Sequence, residues 1–194
     1  MNFTKEFLNE CNSVINLIDQ EEIEKIVDIL LEIRNNSGRL FIIGSGGGAG
    51  NASHAVCDFR KICNIESYAP YDNISELTAR ANDDGWETTI LNWLKTSNFR
   101  KNDCLFILSV GGGNVDKNIS INIVAAIQYC RYIEDSKIIG IVGKDGGYTK
   151  EFANAVVVIP TSDKNVTPIT EGFQSIIWHL LVSHPKLKIN GTIW

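Results

Sequence analysis

A chain of 194 residues with 44% apolar composition can bury a core of its own without covalent cross-links, and its length suits one domain better than two. A formal charge of -5 with Lys and Arg scattered along the chain leaves no basic face to neutralise a phosphate backbone, so nucleic acid is not an expected partner. Five cysteines (Cys11, Cys57, Cys63, Cys104 and Cys130), odd in number and never in a CxxC pair, read as reduced thiols; with a charged N-terminus and no apolar run near the ~20 residues that cross a bilayer, a cytoplasmic protein with no membrane partner is expected.

Phe3, Phe7, Val14 and Leu17 have loose helical spacing and Ile23, Ile26, Val27, Leu30 and Ile33 have it clearly, so residues 1–37 are read as N-terminal helices stopping near Asn36-Ser37-Gly38. Strand and helix then alternate through 38–194. Arg39–Gly44 is a short apolar run that opens into Ser-Gly-Gly-Gly-Ala-Gly, with a helix expected from about Ala49 to Cys63. The pattern repeats in Asp103–Ser109, a Val-Gly-Gly-Gly-Asn loop, and a helix expected from about Val115 to Tyr132. Further strands are expected at Lys137–Val142, leading into Gly-Lys-Asp-Gly-Gly, and at Ala155–Ile159, with a last helix from about Pro168 to Val182. Strands this uniformly apolar belong to a mainly parallel sheet covered on both faces: a single-domain α/β three-layer αβα sandwich preceded by N-terminal helices. The tail ends in Trp194, an apolar residue that fits contact with a neighbouring subunit.

Ligands of such sheets sit beyond the carboxyl ends of the strands, where both glycine loops fall. Gly44, Gly46, Gly47 and Gly48 permit positive φ and close approach of main-chain N–H groups, with a helix N-terminus behind them that favours an anion. A tight turn without a ligand is the plain alternative for any one loop, and two loops weaken it. No Lys-Ser/Thr follows either loop and the full dinucleotide spacing is absent, so no nucleotide cofactor is expected.

His54 and Asp58 stand four apart on the first of these helices, and Glu171, Ser175 and His179 form a second polar stripe among Phe173, Ile176, Ile177 and Leu180. Two imidazoles and two carboxylates serve either as acid–base pairs or as a site for zinc or a neighbouring divalent ion. A helix-surface pair and a hydrogen-bonded core histidine are the plain alternatives, and spacing alone does not choose.

Taken together, Gly44-Ser-Gly-Gly-Gly-Ala-Gly-Asn-Ala-Ser-His54, Leu77-Thr-Ala-Arg-Ala-Asn-Asp-Asp-Gly-Trp-Glu87, Ser109-Val-Gly-Gly-Gly-Asn114, Gly143-Lys-Asp-Gly-Gly147 and the helix carrying His179 make the chain resemble the sugar isomerase (SIS) domain family, and within it the phosphoheptose isomerases. The resemblance covers nearly the whole chain. It implies the SIS fold and a ketose–aldose isomerase that converts sedoheptulose 7-phosphate to a heptose 7-phosphate through an enediol. It also implies that Asp58 acts as base with His179 as partner, and that a divalent metal, zinc in some members, is held among His54, Asp58, Glu171 and His179. Ser45, Gly46, Gly47, Asn51, Asn73, Ser109, Gly111, Gly112 and Asn114 fall at substrate-binding positions, and a homotetramer with pockets between subunits is implied. Asp58 replaces the family's glutamate, Glu171 its glutamine, and Asn73 its aspartate. Where the family holds phosphate with a serine-rich run, only Ser109 keeps its hydroxyl and Asn114 stands in a serine's place. The alternative function is a non-catalytic SIS module that senses a sugar phosphate or bridges protein partners.

Overall fold

The four apolar runs do form strands, and a short fifth joins them at one edge. A computed structural model describes residues 2–191. Helices α1 (Phe3–Leu17) and α2 (Gln20–Asn35) lead into β1 (Leu40–Gly44), α3 (Gly47–Cys63), β2 (Ser67–Tyr68), α4 (Ile74–Asp83) and α5 (Thr89–Thr96). Then come β3 (Cys104–Ser109), α6 (Ile121–Cys130), β4 (Lys137–Val142), α7 (Gly147–Phe152), β5 (Ala155–Val158) and α8 (Val166–Ser183). The strands are parallel throughout, in the order β2-β1-β3-β4-β5.

Successive side chains of the strands point to opposite faces, and both faces are covered, which is why the strands carry almost no polar residue. Leu40, Ile42, Phe106, Leu108, Ile139 and Ile141 pack with Ile26, Leu30, Phe59, Phe173 and Trp178 of α2, α3 and α8. Phe41, Ile43, Leu105, Ile107 and Ile138 pack with Ile90, Leu94, Ile123 and Ile127 of α5 and α6. The result is the expected αβα sandwich. A charged clamp fixes the lower edge: Arg39, before β1, meets Asp103, before β3, through Nη2–Oδ2 at 2.6 Å and Nε–Oδ1 at 3.2 Å.

The register pairs Gly44 with Leu108 and Ser109 with Val142, so the three central strands end level with one another. After β1 the chain goes out to β2, and it then returns to β3 on the other side of β1. The loops that leave β1 and β3 therefore diverge at the switch point of the sheet, the place where ligands of such sheets bind.

Several elements differ from the sequence expectation. Helix α6 starts at Ile121 rather than near Val115, because Asn114 and Ile119 close a turn by an antiparallel bridge and Asn114 Oδ1 accepts the Lys117 N–H at 2.8 Å. No helix N-terminus therefore follows the second glycine loop directly. Strand β2 and helices α4, α5 and α7 were not expected. Helix α4 buries no residue and α7 has only 6 residues, so neither carries an apolar period to be read. Trp194 lies outside the described residues.

Among the described residues no helix is long and apolar enough to cross a membrane. All five cysteines are free. Helix α1 is thinly attached: Val14 is its one buried residue, whereas Phe3, Leu8, Ile15 and Leu17 are more than half exposed. Its polar anchor is Glu10, whose carboxylate accepts from Ser162 N at 3.0 Å, the Ser162 hydroxyl and Asn165 Nδ2 at 2.6 Å. These hydrogen bonds, that from the Ser162 side chain above all, hold the Glu10 carboxyl below its usual range. A depressed carboxyl contributes stability that is present above the unfolded value and lost as pH falls through the folded one. Glu10→Gln is accordingly expected to melt a few degrees below wild type at pH 7, with the difference closing as pH drops below about 4.3; parallel melting curves at every pH would refute the anchor.

Candidate active site

The first glycine loop divides between packing and exposure. A Cβ on Gly44 would collide with the Gly48 main chain, and one on Gly48 with the Leu108 carbonyl, so these two glycines bring α3 down onto the strands. Gly46, at φ +57, caps α3 and faces open space. Gly47 lacks a Cβ where the Glu171 carboxylate sits. Ser45 is half-buried and its carbonyl accepts the Gly48 N–H at 3.0 Å. Asn51 turns toward α8, donating through Nδ2 to the Glu171 carbonyl at 3.0 Å and to Gln174 Oε1 at 3.3 Å. Gln174 is fully buried and donates on to the Ile141 carbonyl at 3.1 Å, so this chain of amides fixes α8 against α3 and β4.

The second loop is held from behind by the third. Ser109, 5% exposed, accepts the Gly112 N–H on Oγ at 3.1 Å. Gly112 and Gly113 adopt φ +70 and +86. Tyr148 N donates to the Gly113 carbonyl and Thr149 N to that of Gly112, each at 2.9 Å, so the first N–H groups of α7 are occupied by the loop itself. Asn73 is the N-cap of α4, accepting the Glu76 N–H at 3.2 Å, and borders a cleft with Phe41, Tyr68 and Trp93 on the far side of the β2 edge.

Above the first loop, α3 and α8 lie side by side and bring His54, Asp58 and His179 together, with one ligand atom of each within 4.8 Å of the others. Asp58 Oδ2 stands 3.8 Å from His54 Nε2 and 3.9 Å from His179 Nε2. The two imidazoles meet edge to face at 5.4 Å between centroids. Their orientation is set by Trp178, a buried ring stacked on His179 and edge-on to His54. His179 Nδ1 lies 2.7 Å from the Ser175 carbonyl, which can only accept, so Nδ1 carries a proton and in the neutral ring Nε2 presents a lone pair. That lone pair faces a carboxylate oxygen at a distance too long for a direct hydrogen bond. Two acceptors in this relation call for a proton donor or a cation between them. A tetrahedral ion with bonds near 2.1 Å needs ligand atoms about 3.4 Å apart, so the spacing fits a zinc-like ion after a small contraction, and the carbonyl-bound Nδ1–H is the support a ligating histidine takes.

Glu171 does not join this group. It stands eight residues before His179 on α8, about 12 Å along the axis, with its carboxylate against Gly47. Of the four residues expected from the sequence, three have ligand atoms within 4.8 Å of one another in the structure. Trp178 and Gln174, which orient the site, were missed by sequence reading because an apolar ring and a lone amide in an apolar helix carry no signal of their own. The site is also open: the side chains of His54 and His179 are 59% and 46% exposed.

No protein-family model matches the chain. It is 30% identical over 164 residues to the phosphoheptose isomerase of Helicobacter hepaticus, covering 82% of this chain and 78% of that one. Over 184 residues it is 28% identical to the phosphoheptose isomerase of Helicobacter pylori, covering 91% and 90% of the two chains. The solved structure of the phosphoheptose isomerase from Neisseria gonorrhoeae superposes with a TM-score of 0.78 at 19% identity, over 93% of this chain and 92% of that one.

Proposed function

Because the chain belongs to the phosphoheptose isomerase family, we propose that it is a sugar-phosphate ketose–aldose isomerase that interconverts sedoheptulose 7-phosphate and a heptose 7-phosphate. The observation that carries the proposal is the convergence of Asp58 and His179, from two different helices, with the His179 tautomer held by the Ser175 carbonyl. Moving a carbonyl along a sugar requires a proton to leave the carbon beside it and to return at the neighbouring carbon, through an enediol. Asp58 Oδ2 takes the carbon-bound proton and delivers it to the adjacent carbon. His179 Nε2 faces the substrate oxygens, accepting the hydroxyl proton and returning it to the nascent hydroxyl. The glycine loops hold the rest of the molecule, with Ser45, Gly46, Gly47 and Asn51 bordering the reacting end, Ser109, Gly111, Gly112 and Asn114 the phosphate end, and Asn73 a more distant contact.

His54, Asp58 and His179 would hold a divalent ion, probed best with zinc, whereas Glu171 lies beside Gly47; an ion held there would take the His179 Nε2 lone pair and would itself act on the substrate oxygens in place of the proton transfer through His179. When bound, such an ion polarises the carbonyl and stabilises the enediolate. The openness of the site supports an assembly in which a second copy covers it: Ile176 and Leu180 flank His179 on α8 and, with Phe173, Ile15 and Ile18, line an apolar groove of about 290 Å³. We assign the chain as a single domain, 1–194, acting as a cytoplasmic homotetramer.

The test is incubation of purified protein with sedoheptulose 7-phosphate, with added zinc and with chelator, following the aldose product. Turnover is expected; loss on chelation with recovery on zinc assigns the substrate oxygens to an ion, and turnover that survives chelation assigns them to His179, while a mass in solution of four chains is expected alongside. Absence of turnover under every condition refutes the isomerase and leaves a sugar-phosphate-sensing module in its place.

A further inference from the structure

A phosphate monoester at neutral pH carries a charge of about −1.5 to −2, and the second glycine loop alone offers little to meet it. Gly111, Gly112 and Gly113 contribute no side chain, Ser109 is buried and accepts from Gly112 N, which leaves a single O–H to donate, α6 begins only at Ile121, and Tyr148 N and Thr149 N at the start of α7 are bonded to the loop carbonyls. The first loop is no substitute, because the Glu171 carboxylate already sits beside Gly47 at the start of α3, where the helix dipole favours a negative charge.

A cation does reach the second loop, from the third. The Lys144 chain crosses Gly111, its Cδ 3.9 Å from where a Cβ on that glycine would lie. Lys144 is exposed, and none of the lysine ion pairs among the described residues involves it. It adopts φ +53, a left-handed conformation that a lysine rarely takes. The segment around it is pinned: Gly143 N donates to the Val110 carbonyl at 3.0 Å, and a Cβ on Gly112 or Gly147 would collide with the main chain of the opposite loop. Two neighbouring lysines are placed less well. The Lys150 stem lies on Gly146 of the third loop, and Lys117 sits in the turn beyond Asn114, beside Asp116.

We propose that Lys144 is the phosphate-holding residue of this chain, its ammonium reaching over the bare face of Gly111 in place of the hydroxyls the second loop lacks. The assignment rests on the isomerase reading for its substrate but on the loop geometry for its chemistry. A phosphate held there binds by a charge-assisted contact, with the Lys144 stem in ordinary van der Waals range of the Gly111 position.

The experiment uses the full chain with inorganic phosphate as probe, by calorimetry and by competition with sedoheptulose 7-phosphate. Lys144→Met is expected to weaken phosphate binding and raise KM about tenfold or more, with the fall in kcat/KM carried by KM, an unchanged melting temperature, and most of the affinity restored in Lys144→Arg. Phosphate bound equally by wild type and Lys144→Met overturns the proposal, and so does a wild-type chain with no measurable affinity for phosphate. A chain that binds phosphate through Lys144 yet turns over no sedoheptulose 7-phosphate keeps this assignment and defeats the isomerase, so the two readings fail separately.

Discussion

Asp58→Asn is expected to lower kcat by about 10²- to 10⁴-fold, the usual loss when a positioned base is removed, without disturbing the fold. The substitution keeps shape and volume and removes only the charge and the proton-accepting lone pairs. Among the described residues Asp58 has no side-chain hydrogen bond; the two histidines stand 3.8 and 3.9 Å from its carboxylate. Kinetics on sedoheptulose 7-phosphate beside a melting curve separate the two effects. An Asn variant that turns over at the wild-type rate removes Asp58 from the mechanism, and one that no longer folds shows that the carboxylate is structural.

Asp103→Ala carries the largest expected loss of stability, about 3–5 kcal/mol, or roughly 6–20 °C in melting temperature for a chain of this size. Asp103 is 1% exposed and accepts four donors: Arg39 N at 3.0 Å, Arg39 Nε at 3.2 Å, Arg39 Nη2 at 2.6 Å and Arg100 N at 2.8 Å. Removing it leaves the Arg39 guanidinium, itself 12% exposed, with only the Ser97 and Asn98 carbonyls as partners and frees the main-chain N–H groups of Arg39 and Arg100. A largely buried pair broken on one side is costly because the remaining charge loses its counter-ion and regains little water. Asp135→Ala, which breaks an exposed pair with Lys101, is the control and leaves the melt in place. Equal behaviour of the two variants would show that the clamp contributes nothing beyond a surface pair.

The parts of the fold with a strong period were legible in the sequence. Arg39–Gly44, Asp103–Ser109, Lys137–Val142 and Ala155–Ile159 are apolar without alternation because both sheet faces are covered, and each is a strand within a residue or so at its ends. Helix α4, with no buried residue, and the two-residue strand β2 leave no such trace. The late start of α6 had a different cause: the apolar pattern after Asn114 continued through Val115 and Ile119, but these are exposed turn residues, and an Asx turn at Asn114 took the chain before the helix could.

The sequence by itself determined the sandwich, the place of the glycine loops at the carboxyl ends of the strands, and the pairing of His54 with Asp58, because each follows from a pattern within a single segment. Tertiary structure alone decided which segments meet. It brought His179 to Asp58 across two helices, set the His179 tautomer through the Ser175 carbonyl, and left Glu171 beside Gly47, away from the other three candidate ligands. It also laid Lys144 over Gly111 from a neighbouring strand's loop. Contacts of this kind depend on how α3 and α8 pack and on how adjacent parallel strands end level, and no spacing along one chain segment encodes a distance between two.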